Sequence, residues 1–244
     1  MMERSSVSME QQNDIRSNVA AIRARMAEAA ASCGRRPEDI QLCAATKMND
    51  AARVKEAVAA GVDCCGENRV QELMEKQPQG AYTGVPVHFI GHLQTNKVKQ
   101  VVGKVDLIES VDRTELLECI EKQAAKLSIR QNILFEVNIG AEESKSGFTP
   151  EEARQMAAKM GDFPHCRLRG LMAIPPISEK PGDNCRYFAE MRNLFVDISA
   201  KKYDNVSMEC LSMGMSDDFP DAIREGATMI RVGTAIFGAR HYNK

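Results

Sequence analysis

The chain has 244 residues, which is close to the length of one α/β barrel and enough for a large core. Its 43% hydrophobic and 27% charged residues are ordinary for a globular protein, and its net charge of −2 excludes a global positive field that would attract nucleic acid or anionic lipid. The sequence has no apolar run of membrane-spanning length and no signal peptide, so we expect no membrane partner.

An amphipathic helix is predicted ahead of the first strand. Residues 1–9 are polar and are expected to be flexible. Between residues 15 and 30 apolar side chains recur at steps of three or four, which is the spacing of one helix face. Gly34 and Pro37 end this helix.

A strand–helix unit then repeats to the end of the chain. The predicted strands cover residues 41–45, 63–66, 87–91, 107–111, 132–139, 167–174, 208–213 and 229–232. Helices are predicted at 50–60, 67–76 and 95–102, and a capping box of Asp112 and Glu115 is predicted to open the fourth. Thr149, Pro150 and Glu152 have the pattern of another helix start.

This alternation implies right-handed crossovers and a parallel sheet. Eight units, with no obvious point where the strand order reverses, favour closure into a single (β/α)8 TIM barrel with an extra N-terminal helix. No internal segment is long or polar enough to be a linker, so residues 1–244 are predicted to form one domain.

The eight cysteines include no CxxC pair, and several lie inside apolar runs typical of strands. We therefore expect buried, reduced thiols in a cytoplasmic protein rather than a disulfide framework. The adjacent Cys64 and Cys65 would face opposite sides of a strand, so joint metal binding by this pair is not expected. A metal site at His88 and His92 is not expected either, because no third ligand is evident.

Functional groups of such barrels lie at the carboxyl ends of the strands. Lys47 follows the first strand, where partial desolvation lowers the pKa of a lysine and makes its amine nucleophilic, as in Schiff-base lysines. A solvated loop lysine is the alternative. Asn68 follows the second strand and could offer its amide to a ligand or cap a helix. His92 and Met172 lie near other strand ends, and core packing is the alternative for Met172.

Small residues cluster after the seventh and eighth strands, in the segments that hold phosphate in many barrels. They let backbone N–H groups approach an anion closely, although two ordinary strand–helix turns would have the same composition. Asp217 and Asp218 would repel a phosphate at their own helix start. We therefore place the anion towards Gly233 and Thr234, with Ser212 and Ser216 closing the other side.

Arg231 lies just before this glycine. Beside a pyridine ring, a permanently cationic arginine would oppose protonation of the ring nitrogen and weaken the ring as an electron sink. The alternative is an ion pair with a carboxylate at a strand end.

Seven segments together resemble the pyridoxal phosphate homeostasis protein family, also called the proline synthase co-transcribed homolog family. They are 45–47, 66–72, 88–97, 137–138 with 145–147, 170–175, 211–216 and 231–238. The resemblance runs from about residue 10 to residue 240 and implies the barrel of alanine racemase, a fold type III pyridoxal 5′-phosphate (PLP) protein. Thr46 and Met48 depart from the family, where Ser and Thr or Phe are frequent at these positions.

The resemblance implies that Lys47 carries PLP as an internal aldimine and that Arg231 faces the pyridine nitrogen. It places Asn68 near the ring. It also implies that the phosphate is held by Ser212, Met215, Ser216, Gly233 and Thr234.

The family implies a cytoplasmic protein that binds PLP, supports its homeostasis and has no firm catalytic activity, with PLP-dependent apo-enzymes as recipients of the cofactor. A PLP-dependent amino-acid racemase is the alternative, and a lysine-dependent aldolase would not account for Arg231. Racemisation needs a second acid/base group, which such racemases take from a further domain that the sequence does not predict here. For the same reason we expect a monomer.

Overall fold

The computed structural model describes residues 14–142, 145–176, 180 and 182–238. Within them eight parallel strands form a closed barrel in chain order, and the last strand pairs with the first. The strands are β1 Gln41–Ala45, β2 Cys64–Glu67, β3 Val87–Phe89, β4 Leu107–Val111, β5 Gln131–Val137, β6 Cys166–Ala173, β7 Val206–Ser212 and β8 Met229–Val232. The predicted (β/α)8 TIM barrel is confirmed.

Helices surround the barrel and one more precedes it, as predicted. They are α1 Ile15–Ser32, α2 Ala51–Ala59, α3 Val70–Lys76, α4 Thr114–Leu127, α5 Pro150–Ala158, α6 Cys185–Lys201, α7 Phe219–Arg224 and α8 Thr234–Phe237. The predicted apolar face of α1 is buried and packs against α2, α7 and α8. Because α8 has only four residues, it covers little of the barrel wall, and α1 packs beside it. Among the described helices, none has the length and apolar character needed to cross a bilayer.

Two predicted helices differ in the structure. The segment after β3 is a 3₁₀ helix, Thr95–Gln100, in which only Val98 is buried, so little packing energy supports a full α-helix. The helix predicted at 67–76 begins at Val70, because Glu67 is the last residue of β2 and points its carboxylate into a buried cluster.

The two predicted capping boxes have opposite outcomes. Thr149 and Glu152 form theirs at the start of α5, with both reciprocal hydrogen bonds present. The box of Asp112 and Glu115 is not formed, and Arg113 is the cap residue of α4. Asp112 is buried and its carboxylate contacts Arg113 and the ring of His92, so it is not free to cap the helix.

Side chains that alternate along the strands point either outwards to the helices or into the barrel, and they form separate apolar clusters on the two sides. One large apolar cluster lies between the strands and the helices and includes Leu42 and Ala44 of β1. Two small clusters are separate from it: Cys43, Cys64 and Met229 form one, and Leu107, Leu134 and Met172 form the other. Their residues alternate with those of the large cluster, which places them inside the barrel. Buried polar residues share this interior, namely His88, Glu109, Ser212 and Arg231.

Candidate functional site

Lys47 lies in the turn that directly follows β1 and is half-buried. Thr46 before it is fully buried, and Met48 after it is exposed. Met48 has a φ of +62°, a left-handed conformation that is uncommon for a residue with a side chain. Such a conformation persists only where neighbouring groups hold it, so other contacts must fix this turn.

Glu67 gathers three hydrogen-bond donors behind the Lys47 turn. Its Oε1 accepts from Thr46 Oγ1 at 2.6 Å, Lys76 Nζ at 2.7 Å and Tyr82 Oη at 2.9 Å. Glu67 and Lys76 are buried, and charged hydrogen bonds are strong in such a low-dielectric region. Burial and the negative charge of Glu67 raise the pKa of Tyr82, which keeps its hydroxyl group as a donor.

Lys76 connects this cluster to the backbone on both sides of Lys47. Its ammonium group donates to the carbonyl oxygen of Thr46 and to Oε2 of Glu72, each at 2.9 Å. The same Glu72 oxygen accepts from the backbone amide of Met48 at 2.7 Å. The peptide groups before and after Lys47 are therefore both anchored to one buried polar cluster.

Asn68, the second predicted site residue, is held by a close backbone contact. A Cβ atom added to Gly91 would lie 2.1 Å from the carbonyl oxygen of Asn68, so only glycine allows the two loops to approach this closely. The side-chain Oδ1 of Asn68 is buried and makes no hydrogen bond within the described residues. Leaving such an atom unpaired costs about 1–3 kcal/mol, so this oxygen is suited to a donor from a ligand.

Arg231 lies inside the barrel, where its guanidinium group is fixed by two acceptors. Its Nη1 donates to Ser212 Oγ at 2.6 Å and its Nη2 to the carbonyl oxygen of Ala173 at 2.9 Å. The Ser212 hydroxyl donates in turn to Glu109 Oε2 at 2.6 Å. Arg231 therefore reaches a carboxylate, that of Glu109, through the Ser212 hydroxyl group rather than by a direct ion pair.

The chain of hydrogen bonds from Arg231 through Ser212 to Glu109 continues to His88, whose Nδ1 lies 2.7 Å from Glu109 Oε1. Burial alone would raise the pKa of Glu109, but the hydrogen bond and charge of His88, the charge of Arg231 and the Ser212 hydroxyl together hold it below its usual range. Glu109 therefore stays ionised and accepts on both oxygens. A continuous hydrogen-bonded line crosses the barrel from β3 to β8.

The predicted phosphate segments after β7 and β8 meet in space. The amide of Ala235 donates to Ser216 Oγ at 3.4 Å, which joins the two loops. Gly233 precedes α8, and the amide of Thr234 makes no hydrogen bond within the described part of the chain. A Cβ atom at Gly233 would lie 3.2 Å from the Ala45 carbonyl oxygen, which is closer than most such contacts. The Thr234 amide and the Ser216 hydroxyl group therefore belong to two loops that are joined by a hydrogen bond.

The cap residue of α7, Asp218, places a carboxylate beside the loop after β7. Asp218 Oδ1 accepts from the amide of Met215 at 2.7 Å, and its Oδ2 accepts from Asn184 Nδ2 at 2.9 Å. An anion is therefore better accommodated towards Gly233 and Thr234. The Ser212 hydroxyl is used inside the barrel, which gives this residue the further role of positioning Arg231.

The remaining predicted positions are more peripheral. His92 is exposed, with its Nδ1 3.1 Å from Asp112 Oδ2 and 3.4 Å from Ser146 Oγ. Met172 is fully buried in the barrel interior, as the packing alternative predicts. The polar loop predicted around Lys145 falls partly outside the described residues, since 143 and 144 are not among them.

Glu136 was not predicted as a site residue. It lies on β5, and burial together with the negative charge of Asp112 raises its pKa to about 7, against an opposing effect of Arg231. A carboxyl group with this pKa exchanges protons near neutral pH, which is a frequent property of functional sites. Its signal in the sequence is a single acid within the otherwise apolar run of residues 133–137.

The fold and this site together define a class of protein. The class is that of the barrels related to the alanine racemase N-terminal domain, and the family model with the description "Alanine racemase, N-terminal domain" matches residues 15–241. This range includes every strand and every candidate site residue.

Comparison with individual proteins narrows the class to one family. The pyridoxal phosphate homeostasis protein of Aquifex aeolicus (strain VF5) is 42% identical over 218 residues, which are 89% of this chain and 95% of that protein. The protein of the same name from Escherichia coli (strain K12) is 42% identical over 237 residues, which are 95% of this chain and 99% of that protein. The chain belongs to the pyridoxal phosphate homeostasis protein family, and the resemblance is confirmed.

A solved structure extends the comparison. PipY of Synechococcus elongatus PCC7942, whose structure was determined with PLP bound, has a TM-score of 0.79 and 32% sequence identity to this chain. The match covers 92% of this chain and 100% of PipY.

Proposed function

We propose that this protein binds PLP and takes part in its homeostasis, with Lys47 as the covalent attachment point. The observation that carries the proposal is the anchoring of the Lys47 turn by a buried cluster at the mouth of this barrel. Members of the family are named for PLP homeostasis, and the related PipY binds PLP. When bound, PLP supplies an aldehyde that an amine can capture and a pyridine ring that can accept electrons.

The residues present fit this cofactor. The phosphate needs several donors, and we assign it to Ser216, Gly233 and Thr234. The Met215 amide and the Ser212 hydroxyl group border this place, but they already donate to Asp218 and Glu109. The unpaired Oδ1 of Asn68 suits a hydroxyl donor on the ring.

Arg231 sets the electronic character of the site. Two acceptors fix the position of its cationic guanidinium group. Facing the pyridine nitrogen, it would donate a hydrogen bond and oppose protonation of the ring. A ring held in this form withdraws electrons less strongly, which favours storage of the cofactor over turnover.

A weak PLP-dependent proton transfer, such as racemisation, is the second candidate function. The observation that favours it is Glu136, whose pKa of about 7 suits an acid/base group inside the barrel mouth. Sustained conversion of L- to D-alanine, followed by chiral chromatography and lost in Glu136→Gln, would support this function. No conversion above that of free PLP supports the storage role.

The absorption spectrum tests the proposed attachment directly. The purified protein should be yellow, and Lys47→Ala should lose the long-wavelength band of the covalently bound cofactor. Lys55→Ala, which changes an exposed lysine on α2, is the matched control and should keep the band. An unchanged spectrum in Lys47→Ala excludes Lys47.

The cellular role includes transfer of PLP to apo-enzymes by a cytoplasmic monomer. Lys47 is half-buried rather than enclosed, which supports exchange of the cofactor with solvent or with a recipient. Activation of a PLP-dependent apo-enzyme by the loaded protein, faster than by free PLP at the same concentration, tests transfer. Sedimentation at several concentrations tests the monomer.

A further inference from the structure

Three side chains of types that can bind a metal ion converge inside the barrel. Cys43 on β1 and Cys64 on β2 are directly paired in the parallel register, so their side chains leave the sheet at the same level. His88 on β3 is paired with Gly66, two residues further along β2. All three side chains belong to buried residues.

The distances among these side chains suit a metal ion. The two sulfur atoms and a ring nitrogen of His88 all lie within 4.8 Å of one another. Around a tetrahedral zinc ion, with Zn–S about 2.3 Å and Zn–N about 2.0 Å, ligand atoms lie roughly 3.5–3.8 Å apart.

Glu109 supplies the outer support that a metal-binding histidine needs. Histidine ligands usually donate their second ring N–H to a carboxylate, which fixes the tautomer and the ring plane. Here His88 Nδ1 lies 2.7 Å from Glu109 Oε1, and Glu109 Oε2 is bonded to Ser212. This leaves Nε2 of His88 as the nitrogen for a metal ion.

Gly66 provides space beside the thiols. A Cβ atom at this position would lie 2.9 Å from Cys43 Sγ and 2.7 Å from Ile90 Cδ1, so any larger residue would press on the cluster. Met229 packs with the two cysteines, and Cys210 packs against this cluster. The surroundings are therefore rich in sulfur, which favours a thiophilic cation over a hard one.

We propose that Cys43, Cys64 and His88 bind a thiophilic metal ion, for which Zn²⁺ is the probe. On binding, the two thiols and Nε2 of the charged His88 ring release their protons, two metal–sulfur bonds and one metal–nitrogen bond form, and no atom changes oxidation state. The ion would connect β1, β2 and β3 beside Arg231, which is the register partner of Cys43 on β8. This inference does not depend on the proposed cofactor, because none of the three ligands is assigned to PLP.

Metal analysis of the full-length protein tests the site. Protein expressed in zinc-supplemented medium and then washed with a chelator should retain about one zinc ion per chain. Cys64→Ala and His88→Gln should lose it. Cys166→Ala, which removes a buried thiol at the start of β6, should keep it. No retained zinc in the unaltered protein, or zinc that persists in Cys64→Ala, overturns the proposal.

A spectroscopic measurement covers the case in which a variant fails to fold. The unaltered protein refolded with Co²⁺ should show thiolate-to-cobalt charge-transfer bands, and Zn²⁺ should raise the midpoint of its thermal unfolding. Absence of these bands in the folded protein means that the cysteines are only small core residues and overturns the proposal.

Discussion

Lys76 Nζ lies 2.9 Å from the carbonyl oxygen of Thr46, the residue that immediately precedes Lys47. Lys76 is only 4% exposed, and burying its charge without partners would destabilise the fold. Its ammonium group donates to Glu67 and Glu72 as well as to this carbonyl oxygen. One of its hydrogen bonds therefore holds the turn that carries Lys47. Lys76 is thus a positioning residue, two contacts away from any ligand.

Replacing Lys76 by methionine should destabilise the protein by about 3–5 kcal/mol, because Glu67 would remain buried without its cation. The free energy of unfolding, measured with urea, gives this value. Lys55→Met removes an exposed lysine of α2 and should change stability by less than about 0.5 kcal/mol. Equal stability of the two variants would show that the Lys76 cluster contributes nothing specific.

A role in positioning Lys47 also needs a readout that stability alone does not move. Tyr82→Phe removes one hydrogen bond to Glu67 and should cost about 1.5–3 kcal/mol while leaving a folded protein. If the cluster positions Lys47, the folded variant should exchange bound PLP faster than the parent protein does. An unchanged exchange rate would assign the cluster to stability only.

Substitution of Gly91 by alanine should disturb Asn68. The new methyl group would lie 2.1 Å from the Asn68 carbonyl oxygen, so one of the two loops must move. We expect a loss of about 1–3 kcal/mol in unfolding free energy and a weaker affinity for PLP. Gly161→Ala is the matched control, since its Cβ atom would meet nothing closer than 3.6 Å. Similar behaviour of the two variants would argue against a constrained Asn68 loop.

The joined loops after β7 and β8 predict a specific loss in Ser216→Ala. A hydrogen bond to a charged group contributes about 1.5–3 kcal/mol, so the dissociation constant of PLP should rise roughly tenfold or more. Fluorescence titration measures this change. Ser199→Ala, on the exposed side of α6, should bind as the parent protein does. An unchanged constant for Ser216→Ala would place the phosphate elsewhere.

Glu136 predicts a pH dependence of stability. Its pKa rises from 4.5 to about 7 in the folded protein, so between these values the folded state holds the proton more tightly than the unfolded state. Stability from this group is therefore fully present below about pH 4.5 and is lost as the pH rises to 7, by up to about 3 kcal/mol. The difference in unfolding free energy between the parent protein and Glu136→Gln should change accordingly. A difference independent of pH would mean that Glu136 titrates normally.

The sequence allowed the barrel and its strand ends to be predicted because both depend on local patterns. Short apolar runs located β1, β4 and β8 with their observed bounds, and Thr149 with Glu152 located the start of α5. The capping box at Asp112 failed because a local motif competed with a contact to His92, 20 residues away in the chain. Local patterns contain no information about such partners.

The same limit applies to the site. The positions of Lys47, Asn68 and Arg231 at strand ends were predictable from local patterns, and their roles towards PLP stay predictions. The acceptor that organises Thr46, Lys76 and Tyr82 was not, since Glu67 has the pattern of a helix residue. The convergence of Cys43, Cys64 and His88 depends on strand register, which the sequence does not specify.

Reduction with borohydride followed by peptide mass mapping tests the central claim most directly. The protein is loaded with PLP, reduced, digested and searched for the mass of the reduced cofactor on each lysine. The account predicts one dominant modified site, Lys47, and its disappearance in Lys47→Ala but not in Lys55→Ala. Recovery of the label mainly on another lysine, or no covalent label in folded, PLP-treated protein, would contradict it.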